Sequence, residues 1–277
     1  MKFGWSSKES SQRIMSLAGG IALLWLLIYI IIYWFQPFSE FWNNFFSNFF
    51  SPVAALISAV FATLIWARYE KMDVPRRVWG PFAVGLWLWL AGEISWGYLN
   101  MTAGEVPIGL PDMFWIISYL FLGQALFHQY KILTQPTARE LWMRTSMVVL
   151  ALLAITLVIY GVFISGTEAP QKLNAAVNSF YPAADLTLAV IALWLARHFM
   201  GGAFSGPWLG LLVFTFADLM YAWLDASGMY AWSLEQGNLL TTIADVAYLG
   251  AYLVLGLGVL YKWLFLKYGL RSRADAR

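Results

Sequence analysis

The chain contains no cysteine and only two histidines, and charged side chains occupy just 12% of its 277 positions. The first absence excludes disulfides, thiolate nucleophiles and thiolate metal sites, and leaves no redox compartment to be read from cysteine usage. The second argues against a histidine-zinc hydrolase or a bis-histidine haem, because His128 and His198 lie at the ends of apolar segments, away from the embedded acids. No G-x-S-x-G elbow, phosphate-binding loop or dinucleotide fingerprint is present, and no lysine stands mid-span where a retinal Schiff base would need one. The low charge is itself an exclusion, since a soluble domain of this length carries about 25% charged residues. Nor is any polar linker long enough to form a separate soluble domain.

What the chain does have is apolar and aromatic: 61% hydrophobic residues, with 16 Trp, 14 Tyr and 20 Phe. These come in long runs, such as Ile21 to Trp34 without a charge, rather than in a helical stripe. That is the pattern of helices solvated by lipid. Stretches near the ~20 residues needed to cross a bilayer fall at 18–35, 51–67, 79–99, 112–130, 144–165, 181–197, 207–225 and 241–264, which predicts eight transmembrane spans in an all-α integral membrane protein. The polar segments between them hold the Pro, Gly, Asn and charges that punctuate helices. One of these, Phe38 to Phe50, reads as an amphipathic stretch lying in the membrane interface.

With this span order, Lys172 alone among the 17 Lys and Arg lies on one membrane face. The others gather before the first span, after the second, fourth and sixth, and after the eighth. The positive-inside rule makes that rich face cytoplasmic, with both termini inside. The first apolar run is span-length and no small-residue cleavage site follows it, so an uncleaved first helix is expected rather than a signal peptide. The expected location is a prokaryotic plasma membrane.

The second half echoes the first. Glu93, Trp96, Tyr98 and Leu99 of the third span return at the same spacing as Asp218, Tyr221, Trp223 and Leu224 of the seventh. Asp112, Trp115, Tyr119 and Gly123 of the fourth return as Asp245, Tyr248, Tyr252 and Gly256 of the eighth. Phe50, Pro52, Ala54 and Leu56 recur 130 positions later as Phe180, Pro182, Ala184 and Leu186. The expectation is one membrane domain built of two tandem four-helix repeats, 1–135 and 136–277. Because each repeat has an even number of spans, the copies share one orientation and are related by an approximate two-fold along the membrane normal.

Orientation and motif together place the embedded acids toward the outer leaflet. Glu93 and Asp218 fall in the outer halves of outward-running spans, and Asp112, Asp185 and Asp245 fall in the first turns of inward-running ones. An aspartate in a first turn also serves as a helix cap or dipole partner; Glu93 and Asp218 lie too deep for that. A carboxylate within a membrane costs a few kcal/mol and marks a cavity, a partner or a transport path. The outer half offers only Lys172 as a counter-charge, so either some acids hold protons or a cation supplies the missing charge. Trp96, Trp115, Tyr119, Tyr221, Tyr248 and Tyr252 share helix faces with the acids, and such faces surround a cation with carboxylate and π-electron density. Taken singly, rings near a membrane boundary also serve as interfacial anchors.

At these motifs, in GEISWGYLNMTAGEVPIGLPDMFWIISYLFLG, YPAADLTLAV, FADLMYAWLDASGMY and ADVAYLGAYLVLG, the sequence resembles the multi-pass membrane input regions found ahead of bacterial diguanylate cyclase and sensor histidine kinase domains. That resemblance implies a membrane sensor. No cytoplasmic catalytic or transmitter domain follows Arg271, so the expectation is a stand-alone relative, or a subunit that signals through a membrane protein partner carrying the output function. Three functions fit the residues, in this order. The first is a non-enzymatic binding protein whose acidic-aromatic pocket (Glu93, Trp96, Asp112, Trp115, Tyr119, Asp185, Asp218, Tyr221, Asp245, Tyr248, Tyr252) takes a cation or a small amphiphilic ligand. The second is an enzyme acting on a lipid or isoprenoid, with Glu93 or Asp218 as general acid. The third is a proton- or cation-coupled transporter. The sequence names no cofactor and no metal site, and it implies the lipid bilayer rather than nucleic acid as a partner.

Overall fold

The computed structural model describes residues 7–103, 108–133, 169–199, 204–227, 229 and 239–269. Within them the protein is all helix: α1 (Ser7–Phe35), α2 (Glu40–Trp66), α3 (Arg76–Ala103), α4 (Leu110–Leu133), α5 (Ala169–His198), α6 (Gly206–Ala226) and α7 (Leu239–Leu264). A π-helical turn, Phe265–Gly269, extends α7. Six of these helices are long and apolar enough to cross a membrane. The exception is α3, whose 28 residues would reach across the ~30 Å hydrocarbon core at 1.5 Å per residue, but whose tryptophans, glycines and Glu93 hold its mean hydropathy down. The expected span 144–165 and the repeat boundary at 135/136 lie outside the described residues.

Two helices begin well before their expected starts. α2 runs unbroken from Glu40 through Pro52, and α5 from Ala169 through Pro182. Phe41 to Phe50 is therefore the first half of a membrane-length helix, not a separate interfacial segment. A proline inside a helix removes the N–H that would bond the carbonyl four residues earlier, here those of Asn48 and Asn178. Membrane helices tolerate this where neighbours accommodate the freed group, and α3 does so by presenting Gly97. A Cβ built there would sit 3.3 Å from the Asn48 carbonyl oxygen. Only a short turn separates α1 from α2. Gln36 adopts φ 45°, and the buried Asn43 side chain ties the turn together by donating to the carbonyls of Gln36 (3.1 Å) and Phe38 (2.8 Å) while accepting from Phe38 N–H.

In the bundle α3 packs between α2 and α4, and α6 between α5 and α7; α2 also meets α7, and α4 meets α5. Close approach rests on small residues. A Cβ on Gly85 would lie 2.9 Å from the Leu122 side chain, and one on Gly210 2.5 Å from Leu255 Cα. α1 stands at the edge, against α7 and α2, with only 6% of its apolar window buried. Its Leu17, Ile21, Leu24 and Ile31 face outward, as lipid-exposed residues do. Lys262, near the end of α7, is buried with its ammonium over the Phe204 ring and no hydrogen-bond acceptor among the described residues. It belongs to the core of that end of the bundle rather than to a solvated basic fringe.

Candidate functional site

Between the two sets of helices lies a cavity of about 330 Å³, at the lower end of the ~300–1,000 Å³ typical of small-molecule sites. Glu93 of α3, Asp218 of α6 and Asp245 of α7 all reach its wall. So do Trp89 and Trp96 of α3, Trp115 of α4, Tyr221 of α6 and Tyr248 of α7. No lysine, arginine or histidine lines it among the described residues. Helical spacing accounts for this convergence, because positions three, four and seven apart share one face. α4 thus turns Trp115 and Tyr119 the same way, and α7 turns Asp245, Tyr248 and Tyr252.

Each embedded acid lies within hydrogen-bond distance of a tyrosine hydroxyl. Tyr248 donates to Glu93 Oε1 at 2.9 Å, with the Tyr252 hydroxyl 3.3 Å behind it. Tyr33 of α1 bonds Asp245 Oδ2. Tyr181 donates to Asp112 Oδ1 at 2.7 Å. The Tyr119 hydroxyl lies between two carboxyls, 2.7 Å from Asp185 Oδ1 and 2.8 Å from Asp218 Oδ2. A phenol satisfies a carboxyl without supplying a counter-charge. The acids are therefore hydrogen-bonded but not neutralised by these contacts.

Of the residues singled out from sequence, Glu93, Trp96, Trp115, Asp218, Tyr221, Asp245 and Tyr248 line the cavity itself. Asp112, Tyr119, Asp185 and Tyr252 stand behind it, joined to it through Tyr181, Asp218 and Tyr248. Two first-turn placements are corrected. With α5 starting at Ala169, Asp185 sits near the middle of its helix, fully buried, and Asp245 lies beyond the first turn of α7, 3% exposed. Neither can act as a cap. Asp112 does keep that role, accepting from Gly109 N–H at 2.9 Å.

Several site residues were missed. Tyr29 and Tyr33 lie one turn apart on α1, a helix otherwise read as purely lipid-facing, and a pair of hydroxyls on one face was the available signal. Ser47 and Asn48 of α2 line the cavity from the stretch assigned to the interface, and Ser51 from the start of the expected span, with Asn100 donating to Asn48 Oδ1 at 3.0 Å. Tyr181 was visible only as the residue before a repeated proline. Gly92 matters through what it admits: a Cβ there would lie 2.4 Å from Trp115 Nε1, so its absence lets the indole reach the cavity wall. No combination of three or more His, Asp or Glu suited to a metal ion occurs among the described residues.

Rings pack together along one side of the site. Trp89 meets Tyr119 edge-on at 5.0 Å and Phe214 at 4.8 Å, and Phe214 meets Tyr252 at 5.0 Å. Such contacts make a rigid aromatic floor. The arrangement can hold a small positive charge between carboxyls and π-faces, or hold protons on the carboxyls themselves. Neither a family model, nor a curated protein, nor a solved structure significantly matches the chain.

Proposed function

We propose that the protein is a membrane-embedded binding protein whose acidic-aromatic cavity takes a small organic cation or a cationic amphiphile, and that occupancy is passed on as a signal to a membrane partner carrying an output function. The observation that carries this reading is the joint presence of Glu93, Asp218 and Asp245 on one cavity wall with aromatic rings and, among the described residues, no basic side chain. A cation there meets carboxylates without displacing an existing ammonium or guanidinium, and the rings compensate part of its lost hydration. The resemblance to bacterial membrane input regions belongs to this proposal.

The same reading takes the chain as eight spans in two tandem four-helix repeats of one orientation, with both termini cytoplasmic in a prokaryotic plasma membrane and the cavity toward the outer leaflet. Reciprocal contacts support the repeats. Gly85 receives Leu122 as Gly210 receives Leu255, and Trp89 packs on Tyr119 as Phe214 packs on Tyr252. Asp218 takes its hydroxyl from Tyr119 of α4, while Glu93 takes one from Tyr248 of α7. Each deep acid is thus served by the last helix of the opposite half.

The test is thermal unfolding of the detergent-purified protein with tetraethylammonium and with phenethylamine. At least one should raise the unfolding temperature of the wild type in a concentration-dependent way. The double variant Glu93→Ala/Asp218→Ala should lose that rise; an undiminished rise would reject the site.

One observation favours a second reading. The hydroxyl chain Tyr252, Tyr248, Glu93 is suited to feeding a proton to a general acid acting on a lipid or isoprenoid. Incubation of purified protein with membrane lipid extract, followed by mass spectrometry, separates the two. A product that vanishes in Glu93→Gln belongs to the enzyme, and an unaltered extract to the binding protein.

A further inference from the structure

The contacts around Tyr119 do not balance if both neighbouring acids are ionised. A phenol has one proton to donate, yet its oxygen lies 2.7 Å from Asp185 Oδ1 and 2.8 Å from Asp218 Oδ2. With two carboxylates, one of these oxygen-oxygen contacts contains no hydrogen at all. The remaining oxygen of Asp185, Oδ2, is buried without a donor. The Asp185 and Asp218 carboxyl groups lie close enough to share a hydrogen bond if either holds a proton. Asp185 is fully buried, so water cannot make up the deficit.

Among the described residues, the other titratable groups facing the pair supply no positive charge. They are Glu93 on α3, Tyr119 on α4, Tyr181 on α5, and Tyr248 and Tyr252 on α7. Asp112 stands one step further out, behind Tyr181. Among the described residues the surroundings offer only acids and phenols to titrate, so one extra proton resolves both the empty contact and the like-charge repulsion. The second half of the chain has this pair where the first does not: 130 positions before Asp185 stands Ala55, also buried.

We infer that Asp185 and Asp218, bridged by Tyr119, form a buried one-proton binding site, and that a cation entering the cavity beside Asp218 takes the place of that proton. Asp218 lines the cavity and Asp185 does not, so Asp218 is the exit. The exchange is electroneutral: the pair carries one negative charge with its proton, and the doubly ionised pair plus a univalent cation carries one as well. The proton passes from the Asp218 carboxyl to water in the cavity. The exchange rests on the binding reading above, whereas the proton site stands without it.

Two measurements on the full-length protein separate them. Infrared difference spectroscopy at neutral pH, without added cation, should show a deuterium-sensitive protonated-carboxyl C=O stretch in the wild type. One component of it should be lost in Asp185→Asn and in Asp218→Asn. The Asp185→Asn amide keeps the shape and supplies its own N–H donor, so this variant is expected to fold. A spectrum unchanged by either substitution overturns the proton site. Calorimetric titration with tetraethylammonium in two buffers of different ionisation heat then counts protons. About one should leave per cation bound in the wild type and almost none in Asp185→Asn. Binding without net proton release in the wild type overturns the exchange. Where only phenethylamine binds, the same proton count is made with it; if neither cation binds, the cavity reading fails and the exchange with it, while the infrared result still decides the proton site.

Discussion

A carboxyl inside a membrane bundle has two kinds of partner, a cation that cancels its charge or a neutral donor that only bonds it, and here the second kind recurs. Hydrogen bonds to ionised groups are each worth about 1.5–3 kcal/mol, so the phenols contribute appreciably to the bundle. Tyr119 serves two buried acids at once, whereas Tyr181 serves Asp112, which keeps a backbone donor from Gly109. Tyr119→Phe should therefore cost about 2–3 kcal/mol and Tyr181→Phe distinctly less, as measured by denaturant titration in mixed micelles. Equal losses would show that the bridging hydroxyl has no special role. The acids themselves were legible because so few charges interrupt the apolar runs. The tyrosines opposite them were legible only where they shared a helix face with an acid, as Tyr119 and Tyr248 do. Tyr33 carried no such mark, since its partner Asp245 lies 212 residues away.

Among the helices, close packing reverses the usual preference for side chains over glycine. Replacing a helical glycine by alanine ordinarily gains about 1 kcal/mol. At Gly210 the new methyl would meet backbone, Leu255 Cα at 2.5 Å, while at Gly85 it would chiefly meet the Leu122 side chain at 2.9 Å, which can shift further. Gly210→Ala should therefore destabilise by about 1–3 kcal/mol, and Gly85→Ala by less. Gly250→Ala, with nothing within 4 Å of its Cβ, should be neutral or stabilising. Chemical or thermal unfolding of the three variants checks the order. Helix existence was readable from hydrophobic runs, including that of α3 despite its tryptophans. The starts of α2 and α5 were not, because Pro52 and Pro182 look like breaks in a sequence, whereas the helices run through both, with Gly97 making room beside the carbonyl that Pro52 frees. Moving those starts turned Asp185 from an apparent cap into a core residue.

At the scale of the whole molecule the absence of native cysteine gives a clean topology test. Ser39 is exposed between α1 and α2, and Met72, 83% exposed, lies between α2 and α3. With both termini inside, Ser39→Cys should react with an impermeant maleimide added to intact cells, and Met72→Cys only after the membrane is opened. The reverse pattern would invert the bundle. The uneven distribution of Lys and Arg is the sequence's ground for expecting this orientation, whereas the cavity's full lining needed coordinates, because it draws on all seven described helices.

The edge position of α1 has a consequence for access. This helix buries almost none of its apolar surface in the protein, yet it supplies Tyr29 to the cavity wall and the Tyr33 hydroxyl to Asp245. One side of the chamber is thus a panel bathed in acyl chains and fastened near its C-terminal end, at Tyr33, by a phenol-to-carboxyl latch. Releasing that latch would open a sideways route for guests dissolved in the bilayer, and the thickness and stiffness of the surrounding lipid would then bear directly on what the chamber holds.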